Sequence, residues 1–144
     1  MLHDLVFLPV PRHLTLSGTT FELPSTGVIC VETPLFQDNL LAAQQLQETV
    51  NALPDVHWEL VGGAALPDSQ IRAVLSLSPN STPHPQGYQL TIADGRIHLV
   101  ASTSPGLFYG VQTLRQLLMQ CGRHAPEIRC IDWPDFPNRG VMLD

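Results

Sequence analysis

Two periods of hydrophobic and polar residues divide the 144-residue chain. From Phe36 to Leu53, apolar residues fall at Phe36, Leu40, Ala43, Leu46, Val50 and Leu53, with Gln44, Gln45, Gln47 and Glu48 between them. Steps of three and four gather the apolar set on one stripe of a helix, which must close before Pro54. A second run of this kind opens at Ser104-Pro105, where the serine can cap and the proline lacks only an N–H that a first turn leaves unused. Its stripe is Leu107, Val111, Leu114, Leu118 and Cys121, broadened by Phe108 and Leu117, and it ends at Gly122.

The remaining segments alternate with a period of two, or are short apolar runs between turn residues. "GVICVE" (27–32) is rich in β-branched residues that suit a pleated surface, and "VHWELV" (56–61) and "IRAVLSL" (71–77) follow it. "GYQLTIADGRIHLVAS" (87–102) is two strands joined by Asp94-Gly95, a dipeptide that accepts the positive φ of a tight hairpin turn. Tyr88, Leu90 and Ile92 then share one face, as do Ile97 and Leu99 on the returning strand. "EIRCIDWP" (127–134) supplies a last strand. The opening "FLPVPRHLTLSGTTFELP" (7–24), with three prolines and a Ser-Gly step, predicts short edge strands and turns. "VGGAALP" (61–67) and "SPNSTPHPQG" (78–87), the latter holding a bare sequon at Asn80, read as turn and loop. This order predicts an α+β fold, an α/β sandwich in which a mixed sheet carries two main helices on one face.

Composition narrows the partners. With 44% hydrophobic and 14% charged residues the chain can bury one core. Thirteen acids face seven arginines and no lysine, for a net charge of −6, so there is no basic footprint for nucleic acid or an anionic membrane surface. No apolar stretch reaches the roughly 18 to 20 residues of a membrane span, and His3 and Asp4 stand where a signal peptide wants basic residues. Compartment is left open. Cys30, Cys121 and Cys130 are odd in number, lack CxxC spacing and lie in or beside apolar runs, so buried free thiols are expected.

Reactive constellations are absent from the pattern. The six histidines stand singly without HExxH spacing, and residues such as His57 and His98 read as solvent-facing or packed, so neither metal nor cofactor is expected. There is no GxSxG elbow and no glycine-rich phosphate loop. The acids are dispersed with no adjacent pair, and Asp132 and Asp135, bracketing Trp133-Pro134, suit backbone capping in a turn. No catalytic residue is assigned.

Three stretches in order, "FLPVPRHLTLSGTTFEL", "GYQLTIADGRIHLVASTSPGLFYGVQTLRQLL" and "IDWPDFPNRGVMLD", resemble the region that precedes and enters the catalytic barrel of glycoside hydrolase family 20, the β-N-acetylhexosaminidases. Gly106, Tyr109, Gly110, Gln112, Thr113, Leu114 and Leu117 match the signature of the family's non-catalytic, zincin-like α/β domain. Their spacing suits core packing better than substrate contact. The resemblance implies two units, residues 1–135 as that domain and 136–144 as the start of a TIM barrel whose remainder is not in this sequence. It implies that Arg139 holds hydroxyls of a terminal sugar in the full enzyme, a task that suits a fork of donors. It also implies a retaining, substrate-assisted parent enzyme acting on N-acetylhexosamine glycans through an Asp-Glu pair that this chain lacks, so the chain alone is expected to be inactive. Its partner would be the catalytic barrel of the same polypeptide. The alternative is a free-standing protein- or carbohydrate-binding scaffold module, although nine aromatics, several at core positions, leave little for sugar stacking.

Overall fold

A computed structural model describes residues 13–32, 36–62, 70–78, 82 and 86–133. The elements are β1 (His13–Glu22), β2 (Thr26–Glu32), α1 (Phe36–Asn51), β3 (His57–Gly62), β4 (Ile71–Leu77), β5 (Tyr88–Ala93), β6 (Arg96–Ala101), α2 (Ser104–Cys121) and β7 (His124–Asp132). The strands form one seven-stranded sheet in the order β1-β7-β5-β6-β4-β2-β3. β1, β7, β5 and β6 pair antiparallel, whereas β6, β4, β2 and β3 pair parallel, so the sheet is mixed with the change of sense at β6.

The expected hairpin is present. Asp94 has φ 54° and Gly95 φ 75°, the pair of positive angles that lets β5 turn directly into β6. Tyr88, Leu90 and Ile92 are buried on one face, where Ile97, Leu99 and Ala101 of β6 join them. Ala73 and Leu75 of β4, Ile29 and Val31 of β2, Trp58 of β3 and Ile128 and Cys130 of β7 continue this core. Both helices add to it, with Ala43, Leu46 and Val50 from α1 and Leu107, Val111, Leu114, Leu117 and Leu118 from α2. Leu53 and Cys121, expected in these stripes, are only partly buried. A separate small cluster of Cys30, Ile71 and Val74 follows a register shift between Val28 and Ile29 opposite β4.

Three local expectations change. β1 is one ten-residue edge strand rather than short strands and turns, and Ser17-Gly18 forms an irregularity between Leu16 and Thr20, with Gly18 at φ 89°. An extra residue with positive φ is absorbed by a bulge without ending the ladder. At α2 the cap is Thr103, not Ser104: its hydroxyl accepts from the N–H of Gly106 at 3.3 Å, which moves Pro105 to the second helical position. The "EIRCIDWP" strand also starts three residues earlier, at His124.

Helix α2 crosses from β6 to β7 over the intervening β5, and two glycines set its height. A Cβ at Gly106 would collide with the backbone oxygen of Gly87 and stand 3.3 Å from Cβ of Ala101. At Gly110 it would collide with Leu99 Cδ1 and meet Tyr88 Cγ at 3.0 Å. Gly110→Ala therefore overpacks the helix–sheet contact and is expected to cost roughly 1–3 kcal/mol. Gly106→Ala should cost at least as much, because its obstacle is backbone rather than a side chain. Urea unfolding of both variants checks this, and a midpoint unchanged in both would contradict the close approach.

Candidate functional site

The signature residues of α2 are occupied in holding the helix down. Thr113 donates to the carbonyl of Tyr109 at 3.4 Å and accepts from the Tyr88 hydroxyl at 2.6 Å, and the Cys130 thiol lies 4.0 Å from that hydroxyl. This polar chain links α2, β5 and β7 within the core. Each hydroxyl donates once and accepts once, which satisfies buried oxygens that would otherwise lose water without replacement. Leu114 and Leu117 are fully buried beside it, and Tyr109 is half-buried against the core.

Gln112, the remaining polar member, faces the other helix. It donates to Gln45 Oε1 at 2.6 Å, while Arg115 donates through Nε to Thr49 at 2.9 Å and through Nη1 to Gln112 Oε1 at 2.9 Å and Gln45 Oε1 at 3.4 Å. The contacts climb together, residue 45 beside 112 and residue 49 beside 115, so α1 and α2 run parallel. Sequence reading missed this junction because its members fall on the polar stripe of each helix. The signal was available: Leu41, Gln45, Glu48 and Ala52 repeat the spacing of Phe108, Gln112, Arg115 and Met119.

Helix α1 also closes the edge of the sheet. His57 N–H bonds Ser25 on the β2 side, so the N–H and C=O of Trp58 point outward. Asn51 accepts from that N–H at 2.8 Å, and Asn51 and Gln47 both donate to the carbonyl, at 3.3 and 3.0 Å. The indole N–H is satisfied by Pro24 O at 2.9 Å, so Trp58 is fully buried with every donor bonded.

Among the described residues whose burial is given no carboxylate is buried, and among the described residues no group of three or more His, Cys, Asp or Glu could hold a metal ion. No described helix is long and apolar enough to cross a membrane. His57 and His98 are exposed, and His57 lies 2.8 Å from Glu59 in a solvent-facing pair. A cleft of about 330 Å³ at the start of β2 and β4 holds Glu59 and Arg72, whose buried Nε has no acceptor. That cleft offers one acid where glycosidic cleavage commonly needs two. Asp132 lies at the end of β7 opposite Tyr88, while Asp135, Asn80 and Arg139 lie outside the described residues.

A cleft of about 310 Å³ opens along the outer junction of the helices, lined by Glu48, Thr49, Ala52, Leu53, Arg115, Leu118 and Met119. Its polar groups are the Glu48 carboxylate, the Thr49 hydroxyl and the Arg115 guanidinium, set against apolar walls, and Arg115 is held by the Thr49 hydroxyl.

The match that decides the family covers residues 6–133, nearly the whole chain, and is to "Glycosyl hydrolase family 20, domain 2". The chain belongs to this family. Beta-hexosaminidase B of Pseudoalteromonas piscicida is 29% identical over 138 residues, and a beta-N-acetylhexosaminidase of Cellulomonas fimi is 29% identical over 147. These alignments take in 95% and 98% of this chain but only 16% and 28% of those proteins. Among solved structures, a chitobiase of Flavobacterium johnsoniae superposes with a TM-score of 0.73 at 17% identity, over 94% of this chain and 22% of that one. The N-acetyl-beta-hexosaminidase of Streptomyces plicatus gives 0.71 at 18% identity, over 89% and 26%. The α+β fold with its mixed seven-stranded sheet is therefore that of the family 20 domain.

The three cysteines form no disulfide, and burial raises the thiols of Cys121 and Cys130. Cys130 is pushed up from its ordinary 9.0 to about 11, and Tyr88 is raised further, by burial first and then by the adjacent Cys130. Folding holds these protons more tightly than the unfolded chain does. The Cys130 contribution is complete below pH 9 and is lost as pH rises from 9 to about 11. The urea midpoint should fall across that interval, and Cys130→Ala should lessen the slope. A midpoint that rises with pH there would refute the assignment.

Proposed function

We propose that this chain is the non-catalytic domain of a β-N-acetylhexosaminidase, a two-layer, zincin-like α/β sandwich that supports a catalytic TIM barrel. In this reading residues 1–135 form the domain and residues 136–144 begin the barrel, with Gly140 to Leu143 in its first strand. The parent removes terminal N-acetylhexosamine residues from glycans with retention, by a substrate-assisted route that needs no metal or cofactor. Arg139 binds hydroxyls of the terminal sugar in the complete enzyme.

The family match over residues 6–133 carries this proposal. It is supported by the use of the signature residues of α2, which pack or join helices and leave no reactive group exposed. A sugar-stacking module is less well supported, because Phe21, Trp58 and Tyr88 are buried in the core.

Two measurements test the reading. The 144-residue chain should not turn over a chromogenic N-acetylglucosaminide, whereas a polypeptide continuing beyond Asp144 for the roughly 250 residues of a barrel should. In that enzyme Arg139→Ala should weaken transition-state binding by about 1.5–3 kcal/mol, read as a drop in kcat/KM. Turnover by the chain alone would overturn the non-catalytic role, and an unchanged kcat/KM would remove Arg139 from the sugar site.

A further inference from the structure

The start of β2 is built to make room for an arginine. Gly27 pairs with Trp58 across β2 and β3, and a Cβ at Gly27 would collide with Cγ of Arg72 and stand 3.2 Å from the Trp58 indole nitrogen. The missing side chain lets the aliphatic stem of Arg72 lie against the strand, half-buried. Packing of the stem fixes where the charged head sits. That head has no acceptor. Nε is buried without a hydrogen-bond partner, and among the described residues nothing accepts from Nη1 or Nη2, which are not buried.

The cleft of about 330 Å³ that Arg72 lines lies at the small end of the range for small-molecule sites, about 300–1,000 Å³. Val28 gives it an apolar patch, and Thr26, Glu59 and Gln70 give it hydrogen-bonding groups. Glu59 stays outside ion-pair distance of Arg72 and turns to His57 at 2.8 Å. Charge and geometry together select a ligand. A guanidinium with two open nitrogens is best matched by a carboxylate, whose two oxygens accept from them in parallel. Glu59 in the same cleft repels a second negative charge, which disfavours a dianion such as phosphate. As a carboxylate it only accepts, so it suits a ligand that also brings hydroxyl donors.

We propose that this cleft binds a hydroxylated monocarboxylate the size of one sugar acid, with the carboxylate on Nη1 and Nη2 of Arg72 and hydroxyls on Glu59 and Gln70. The site does not depend on the function proposed above, and every group in it belongs to this chain.

The test is a titration of the 144-residue chain followed by NMR, at constant pH and ionic strength, reading the Arg72 Nε–H signal and the backbone amides of Gly27 and Gln70. Glucuronate should shift all three with a Kd on the order of 1 mM, and glucose, acetate and inorganic phosphate should each bind at least about tenfold more weakly. Arg72→Met, which keeps a stem over Gly27 and removes the charge, should weaken glucuronate binding by a similar factor. No shift with glucuronate at ten times the expected Kd overturns the site. Glucose binding as tightly as glucuronate overturns the role of Arg72, as does an unchanged Kd in a folded Arg72→Met variant. Acetate or phosphate binding as tightly overturns the role of the hydroxyls. The comparison of ligands on the wild-type chain does not depend on any variant folding.

Discussion

The fold depends on how closely α2 can lie against β5 and β6. Gly106 sits over the carbonyl of Gly87, and Gly110 over Leu99 and the ring of Tyr88, so the helix rests on backbone and ring rather than on its own side chains. This height brings Thr113 to 2.6 Å from the Tyr88 hydroxyl, and Tyr88 in turn meets Cys130 on the next strand. Raising the helix by the thickness of a methyl group would open the polar chain and the apolar layer of Leu107, Val111 and Leu114 together. Dense packing makes such a shift costly because many small contacts are lost at once.

From that position the remaining contacts follow in order. α2 fixes α1 through Gln45, Thr49, Gln112 and Arg115, and α1 carries Asn51 and Gln47 to the backbone of Trp58 at the sheet edge. Amide side chains there do what a further strand would do, satisfying groups that otherwise invite another chain. The links across the two layers are mostly neutral hydrogen bonds, and the ion pairs of His57 with Glu59 and of His124 with Glu22 are exposed. Exposed pairs contribute little, so salt should affect the frame of this domain only weakly.

Most of this frame was legible because local signals agreed with the tertiary structure. Asp94-Gly95 specified its own turn, "IRAVLSL" matched β4 residue for residue, and the α2 stripe identified Leu107, Val111, Leu114, Leu117 and Leu118 as core. Ser104 was preferred to Thr103 as the cap because both residues have the needed hydroxyl. Only the direction of the Thr103 side chain toward Gly106 separates them. Ser17-Gly18 looked like a turn because positive φ serves a turn and a bulge equally. Strand order was not legible from periodicity, which fixes the face of a residue but not the neighbour of its strand. Arg115 escaped notice for a related reason: a polar stripe looks solvated until a second helix is set beside it.

β7 gives this architecture its consequence for the rest of the polypeptide. It is paired on both sides, by β1 and β5, so its end at Asp132 is held by two hydrogen-bonded ladders. Arg139 follows seven residues later (139 − 132), a separation the chain can span only to about 25 Å even when fully extended. In the reading proposed above, a barrel beginning there is tethered within one domain's width of the doubly paired end of β7.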